Sequence, residues 1–184
     1  SFRFGDLLDL TMLDTRLYGR DREAASAKDQ AVIQDPKRSL LGPTQEAWLY
    51  DQLQRSKGDG VSWRILGQQV MLGHLGGYGD TPILNTDQWD GYPHARTRLL
   101  GVLEVGGIGN VAVLTGDIHS SWAMDVARDP FGAAYNASTG KGSLAVEFVT
   151  PPVTSPFLTD RKAAEARAAQ GLEAHPHMRF IDLF

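Results

Sequence analysis

The chain has 184 residues, 42% hydrophobic and 22% charged, with a formal net charge of -4 and no cysteine; that is the composition of one ordinary domain with a real core. It excludes disulfides and thiolate metal sites, and an acidic chain without basic runs argues against nucleic acid as a partner. No apolar stretch of about 18 residues is present to span a bilayer, and no basic-then-apolar leader opens the sequence.

In chain order, Ser1-Phe2-Arg3-Phe4 opens and Phe180-Ile181-Asp182-Leu183-Phe184 closes the sequence with large apolar residues up to the last position. Native ends are usually polar, so the pattern predicts strands that continue outside the chain. Residues 7–13 read as a buried strand ending at Asp14, and the polar residues 19–39 as a long loop with a short helix around 22–28. Pro43-Thr44 before Gln45 and Glu46 supplies a cap and an early acid, Trp48, Leu49 and Leu53 recur on one face, and Gly58 is a stop, which predicts a helix over 45–56. Residues 63–72 read as a second buried strand that empties into the Gly-rich run Gly73-His74-Leu75-Gly76-Gly77-Tyr78-Gly79-Asp80. A helix is expected over 96–105, a short central strand over 111–115, a helical turn or helix over 120–127 and another strand over 143–150. Thr159 is placed to cap an Ala-rich helix running to about Gln170, with Gly171 as its terminator. The alternation predicts an α/β layered core with functional residues on loops at strand ends.

Two segments carry chemistry. Asp117-Ile118-His119 follows the apolar run ending at Leu114. If the backbone is still extended there, residues i and i+2 share a face and the carboxylate and imidazole converge as metal ligands. The structural alternative makes Asp117 the cap of a helix begun by Ser120-Ser121-Trp122, with His119 a satisfied core residue. Asn85-Thr86-Asp87-Gln88-Trp89-Asp90-Gly91-Tyr92-Pro93 has neither helix nor strand period. It reads either as a site-lining loop, with Asn85, Trp89 and Tyr92 against a substrate, or as a structured turn anchored by the two aromatics.

The motifs Leu13-Asp14-Thr15-Arg16-Leu17-Tyr18, Asp87-Gln88-Trp89-Asp90-Gly91-Tyr92-Pro93 and Leu114-Thr115-Gly116-Asp117-Ile118-His119-Ser120-Ser121-Trp122, with residues 41–49, 66–70 and 146–156, resemble the PhoD-like alkaline phosphatases and phosphodiesterases in the same order. The resemblance implies a metallophosphoesterase-like αββα sandwich, of which residues 1–184 are the C-terminal part of a single catalytic domain, truncated at both ends. It further implies hydrolysis of phosphate monoesters or diesters, Ca2+ and in some members Fe3+ at the catalytic centre, and export to the periplasm or the extracellular space. By motif position it makes Asp117 and His119 metal-site residues and puts Asp14 and Arg16 near the site. Arg16 would then grip a phosphate oxygen, or alternatively pair with Asp14 to pin the loop beginning at Gly19. His177, in Pro176-His177-Met178-Arg179-Phe180, matches a further motif that would reach the substrate; His74 matches none and reads as a surface histidine. The remaining metal ligands of such enzymes lie upstream of the region matched, so an N-terminal portion of the domain is the expected partner and the isolated chain is expected to be inactive.

Two other classes stay in view. A non-catalytic anion-binding module would use the Gly-rich run and arginines; Gly106-Gly107-Ile108-Gly109-Asn110 precedes a strand and so fails the dinucleotide fingerprint. A serine hydrolase would use Ser120 or Ser121 with His119, but no Gly-x-Ser-x-Gly elbow surrounds them.

Overall fold

A single mixed sheet organises the molecule. The structure, a computed structural model, describes residues 1–76, 85–155 and 157–184. Among these, β1 (Phe2–Phe4), β2 (Leu8–Met12), β3 (Trp63–Gln68), β4 (Val111–Thr115), β5 (Ser121–Ala127), β6 (Ser143–Val149) and β7 (Met178–Asp182) form a seven-stranded sheet in the order β1-β2-β3-β4-β6-β5-β7. β2, β3, β4 and β6 run parallel, while β1, β5 and β7 pair antiparallel with their neighbours. The helices are α1 (Gln30–Ile33), α2 (Gly42–Gly58), α3 (Pro93–Val105) and α4 (Arg161–Ala174). The arrangement is a mixed α/β fold.

Register assigns each strand residue to a face. On one face Leu66, Val111, Val113 and Ala145 are buried under Leu49 and Leu53 of α2 and Leu99, Leu100 and Leu103 of α3. Farther along the same face, Met124, Val149, Met178 and Ile181 meet Ala164 and Ala168 of α4, whose small side chains let the helix lie close. The buried polar residues of the strands, including Arg64, Gln68, Thr115 and Glu147, also point this way.

The other face is apolar and open. Met12, Gly67, Leu114, Phe148, Ala123 and Phe180 are successive cross-strand partners in one row across the sheet. Phe2, Phe4, Met12, Trp63, Leu114, Phe148 and Phe180 are each between 45% and 61% exposed. Parallel strands ordinarily occur with both faces covered.

Four expectations are corrected. Residues 120–127 form β5, not a helix: Trp122, Met124 and Val126 alternate onto the helix-covered face, and the strand is held between β6 and β7. The short helix of the long loop is Gln30–Ile33, capped by Asp29, rather than 22–28. Asp160, not Thr159, caps α4 by accepting from Ala163 N–H, and the helix passes through Gly171 to Ala174. β3 stops at Gln68, although Val70, Met71 and Leu72 remain buried as a segment under the core. The Gly-rich run is described only to Gly76; residues 77–84 lie outside the described residues.

Candidate active site

β4 is a central strand of the sheet, so its C-terminal end is the natural place for a site in a sheet of this kind. The chain leaves it abruptly. Asp117 has φ 74° and His119 φ 59°, and Ile118 N–H donates to Gly116 C=O at 2.9 Å. That contact closes a three-residue γ-turn on Asp117, a strained conformation. Positive φ is uncommon outside glycine, and residues held there cluster at functional sites. The extended geometry expected for Asp-x-His is therefore wrong. The backbone is kinked twice, and both side chains are exposed on the rim of a depression of about 320 Å3 floored by Gly116, Thr150, Pro151 and Pro152. The helix that Asp117 was alternatively to cap does not exist.

Asp117 is held from two sides. Arg16 Nη2 donates to its Oδ1 at 2.5 Å and Gln88 Nε2 to its Oδ2 at 3.0 Å. Arg16 Nη1 also reaches Asp87 Oδ1 at 2.7 Å, an oxygen that Arg20 Nη2 shares at 2.6 Å. Partial burial works against the charge on Arg16, but the carboxylates of Asp87 and Asp117 outweigh it and raise its pKa. Arg16 thus pairs with Asp87 and Asp117, and its alternative pairing with Asp14 is not what the loop uses. Asp14 instead accepts from the backbone N–H groups of Leu17, Arg16 and Tyr18, which hold its carboxyl below the usual range. Downstream, Gly19 and Gly42 cross with positive φ, and a Cβ on Gly19 would lie 2.9 Å from the Gly42 Cα. This close crossing returns the loop to the start of α2.

Trp89 and Tyr92 are placed in the core and not on a substrate-facing wall. Trp89 is fully buried and donates its indole N–H to Gln68 Oε1 at 2.8 Å. Tyr92 donates its hydroxyl to Asp21 C=O at 2.7 Å, with the guanidinium of Arg38 4.3 Å and that of Arg20 5.3 Å from its ring centre. Both are the anchors of a structured turn, and they fix Asp87 and Gln88 beside Asp117. Asn85 is half-buried and caps that turn through its Oδ1, which accepts Asp87 N–H.

His177 is buried, with Nε2 2.8 Å from His74 C=O and no hydrogen-bond partner for Nδ1. Burial pulls its pKa down to about 4. It packs edge-on against Phe131, 5.7 Å between ring centres, and contributes no atom to the depression at Asp117. His74 is not a simple surface group, since its Nδ1 lies 2.6 Å from the buried Asp90 carboxylate. Ser120 is buried, donating to Ile118 C=O and accepting the Trp122 indole N–H at 2.7 Å, so its hydroxyl is committed and the serine-hydrolase alternative is left with Ser121, the first residue of β5.

Sequence reasoning missed Glu147. It is fully buried, and its Oε1 accepts from Leu72 N–H at 2.9 Å and from Thr115 Oγ1 at 2.6 Å, while Oε2 accepts from Gly73 N–H at 2.5 Å. Burial pushes its pKa up, against these donors and the charge of Arg96. The clamp ties the exits of β3 and β4 together immediately before the strained turn. Its signal was available: a glutamate inside the apolar run of β6 is a buried charge that must have partners.

Asp117 and His119 supply one carboxylate and one imidazole. Among the described residues no three His, Cys, Asp or Glu side chains come together as a metal site. The Asp117 oxygens are taken up by Arg16 and Gln88.

A family model described as PhoD-like phosphatase matches residues 1–184. Alkaline phosphatase D of Bacillus subtilis (strain 168) is 34% identical over 185 residues, which is 98% of this chain and 30% of that protein. A solved structure described as "Structure of PhoD" superposes with a TM-score of 0.82 at 33% identity, covering 100% of this chain and 34% of that one. The chain thus spans about a third of the length of the relatives it matches.

Proposed function

Because the chain belongs to the PhoD-like phosphatase family, we propose that it forms one wall of a metal-dependent active site that hydrolyses phosphate monoesters or diesters, completed by an upstream portion of the same domain. The observation that carries this reading is the doubly kinked end of β4, which holds Asp117 and His119 at the surface in conformations that cost on the order of 1 kcal/mol each. Strain of that kind persists only where the surroundings over-determine it, and here Arg16, Gln88 and the Glu147 clamp do so.

In this reading Asp117 and His119 are two ligands of a centre whose other ligands lie upstream. Calcium, with iron as the further ion the family resemblance implies, would lower the pKa of a bound water and neutralise phosphoryl oxygens when bound. The chain's own part is positional. Gln88 fixes the orientation of the Asp117 carboxylate, and Arg16, one-third exposed between two carboxylates, presents a guanidinium matched to a phosphate oxygen. The open apolar sheet face supports a second layer supplied by the upstream portion, giving the αββα sandwich. Export to the periplasm or extracellular space belongs to the same proposal.

The test is Asp117→Asn in the complete protein, followed by metal content and turnover of a chromogenic phosphate ester. Loss of both, with turnover down on the order of a hundredfold or more, is expected. Retention of both would remove Asp117 from the centre, and a complete wild-type protein that turns over no phosphate ester would favour a non-catalytic anion-binding module. Turnover with bound metal in the isolated 184-residue chain would overturn the need for a partner.

A further inference from the structure

A second cavity, of about 390 Å3, opens beside the kinked turn on the helix-covered side. Leu75, Ile118, Trp122, Phe157 and Leu183 make up the apolar part of its wall, and Asn85, Arg167, Gln170 and His175 the polar part. Ile118 is the residue between Asp117 and His119, so the cavity and the depression at Asp117 lie on either side of one turn. An apolar cavity of about 150 Å3 already admits a benzene ring, so an aryl group fits here with room to spare.

Several polar atoms of the wall are already committed to protein partners. The Trp122 indole N–H is donated to Ser120 Oγ, Asn85 Oδ1 accepts Asp87 N–H, and the ring nitrogens of His175 lie 2.8 Å from Gly171 C=O and 3.1 Å from Leu75 C=O. What they leave toward the cavity is mostly hydrocarbon, with the exposed Gln170 and Arg167 as its polar members, the guanidinium of Arg167 5.8 Å from the Phe157 ring centre. A polyol placed there would give up hydrogen bonds to water with few to replace them, whereas an aryl or short alkyl group gains from burial.

We propose that this cavity is the subsite for the organic arm of the ester and selects phosphate esters carrying an aryl or short alkyl arm over those carrying a polyol. The assignment rests on the reading of Asp117 as part of the phosphate site.

Competitive inhibition of the complete enzyme by three phosphonates tests it, since these keep the anionic head constant and vary only the arm: methylphosphonate, phenylphosphonate and 2,3-dihydroxypropylphosphonate. Phenylphosphonate is expected to bind about tenfold more tightly than methylphosphonate, and the dihydroxypropyl compound no better than methyl. Ala174→Phe, at an exposed lining position on α4, should fill the cavity and bring the phenyl-to-methyl ratio close to one. Equal inhibition by all three in the wild type, a preference for the dihydroxypropyl arm, or a ratio untouched by Ala174→Phe overturns the subsite while ester turnover keeps the phosphate-site reading intact. Absence of both ester turnover and phosphonate inhibition overturns that reading and the subsite with it.

Discussion

The two faces of the sheet are built on opposite terms. Under the helices, apolar contacts surround a set of buried polar groups, each tied to another element: Gln68 to Trp89, Arg64 to the carbonyls of Val61 and Gly109, Glu147 to Thr115, Leu72 and Gly73. The opposite face carries a row of large hydrocarbon side chains, half-exposed and without a layer over them among the described residues. In a sheet with one solvated side, polar residues would alternate toward water. Here they alternate toward the helices, where they join loops to strand ends, and the apolar row is left on the open side. The covered face is therefore where the chain is held in shape, and the open face is where it would gain from company.

The largest effect should come from breaking the covered face at its most connected point. Glu147→Ala strands the Thr115 hydroxyl and the Leu72 and Gly73 N–H groups in the interior; urea unfolding of the complete protein should show a loss of about 3–5 kcal/mol. Next is a pH effect at His177. Its folded-state pKa, near 4, lies below the ordinary value of about 6.5, so between those limits the unfolded chain binds a proton that the folded chain refuses. Stability is then full above about pH 6.5 and falls as pH drops toward 4, by roughly 3 kcal/mol in all. His177→Gln, which keeps a donor for His74 C=O, should flatten that slope in denaturant titrations across the window. The smallest effect belongs to the open face. Leu114→Ala should cost no more than about 1 kcal/mol in the chain alone, against about 2–5 kcal/mol where a second layer covers it. Equal costs in the two settings would mean that nothing packs there.

Much of this framework was legible from apolar runs. β4 announces itself as a continuous hydrophobic stretch, and β2, β3 and β6 as short runs rich in apolar residues that are broken by Asp9, Arg64 and Glu147. β5 did not, since Ala123, Met124 and Ala127 suit a helix and only pairing on both edges makes the segment a strand. At the site the residue types were readable and the geometry was not. Asp117 and His119 could be picked out at the end of an apolar run, but their left-handed backbone could not, nor could the contacts that hold Asp117, which come from Arg16 and Gln88, 101 and 29 residues away in sequence. Trp89 and Tyr92 were offered as pocket or core, and burial decides for core. Glu147 escaped because its partners come from β4 and from the segment after β3, 32 and 74–75 residues away in sequence.

The left-handed turn at Asp117 also sets a ceiling on how stable this chain can become without losing its chemistry. Glycine at 117 and 119 would relax the backbone and remove both of the proposed ligand side chains in the same step. If these side chains are the ligands proposed above, stability and chemistry pull in opposite directions at both positions, and the chain carries the side chains rather than the relaxed backbone.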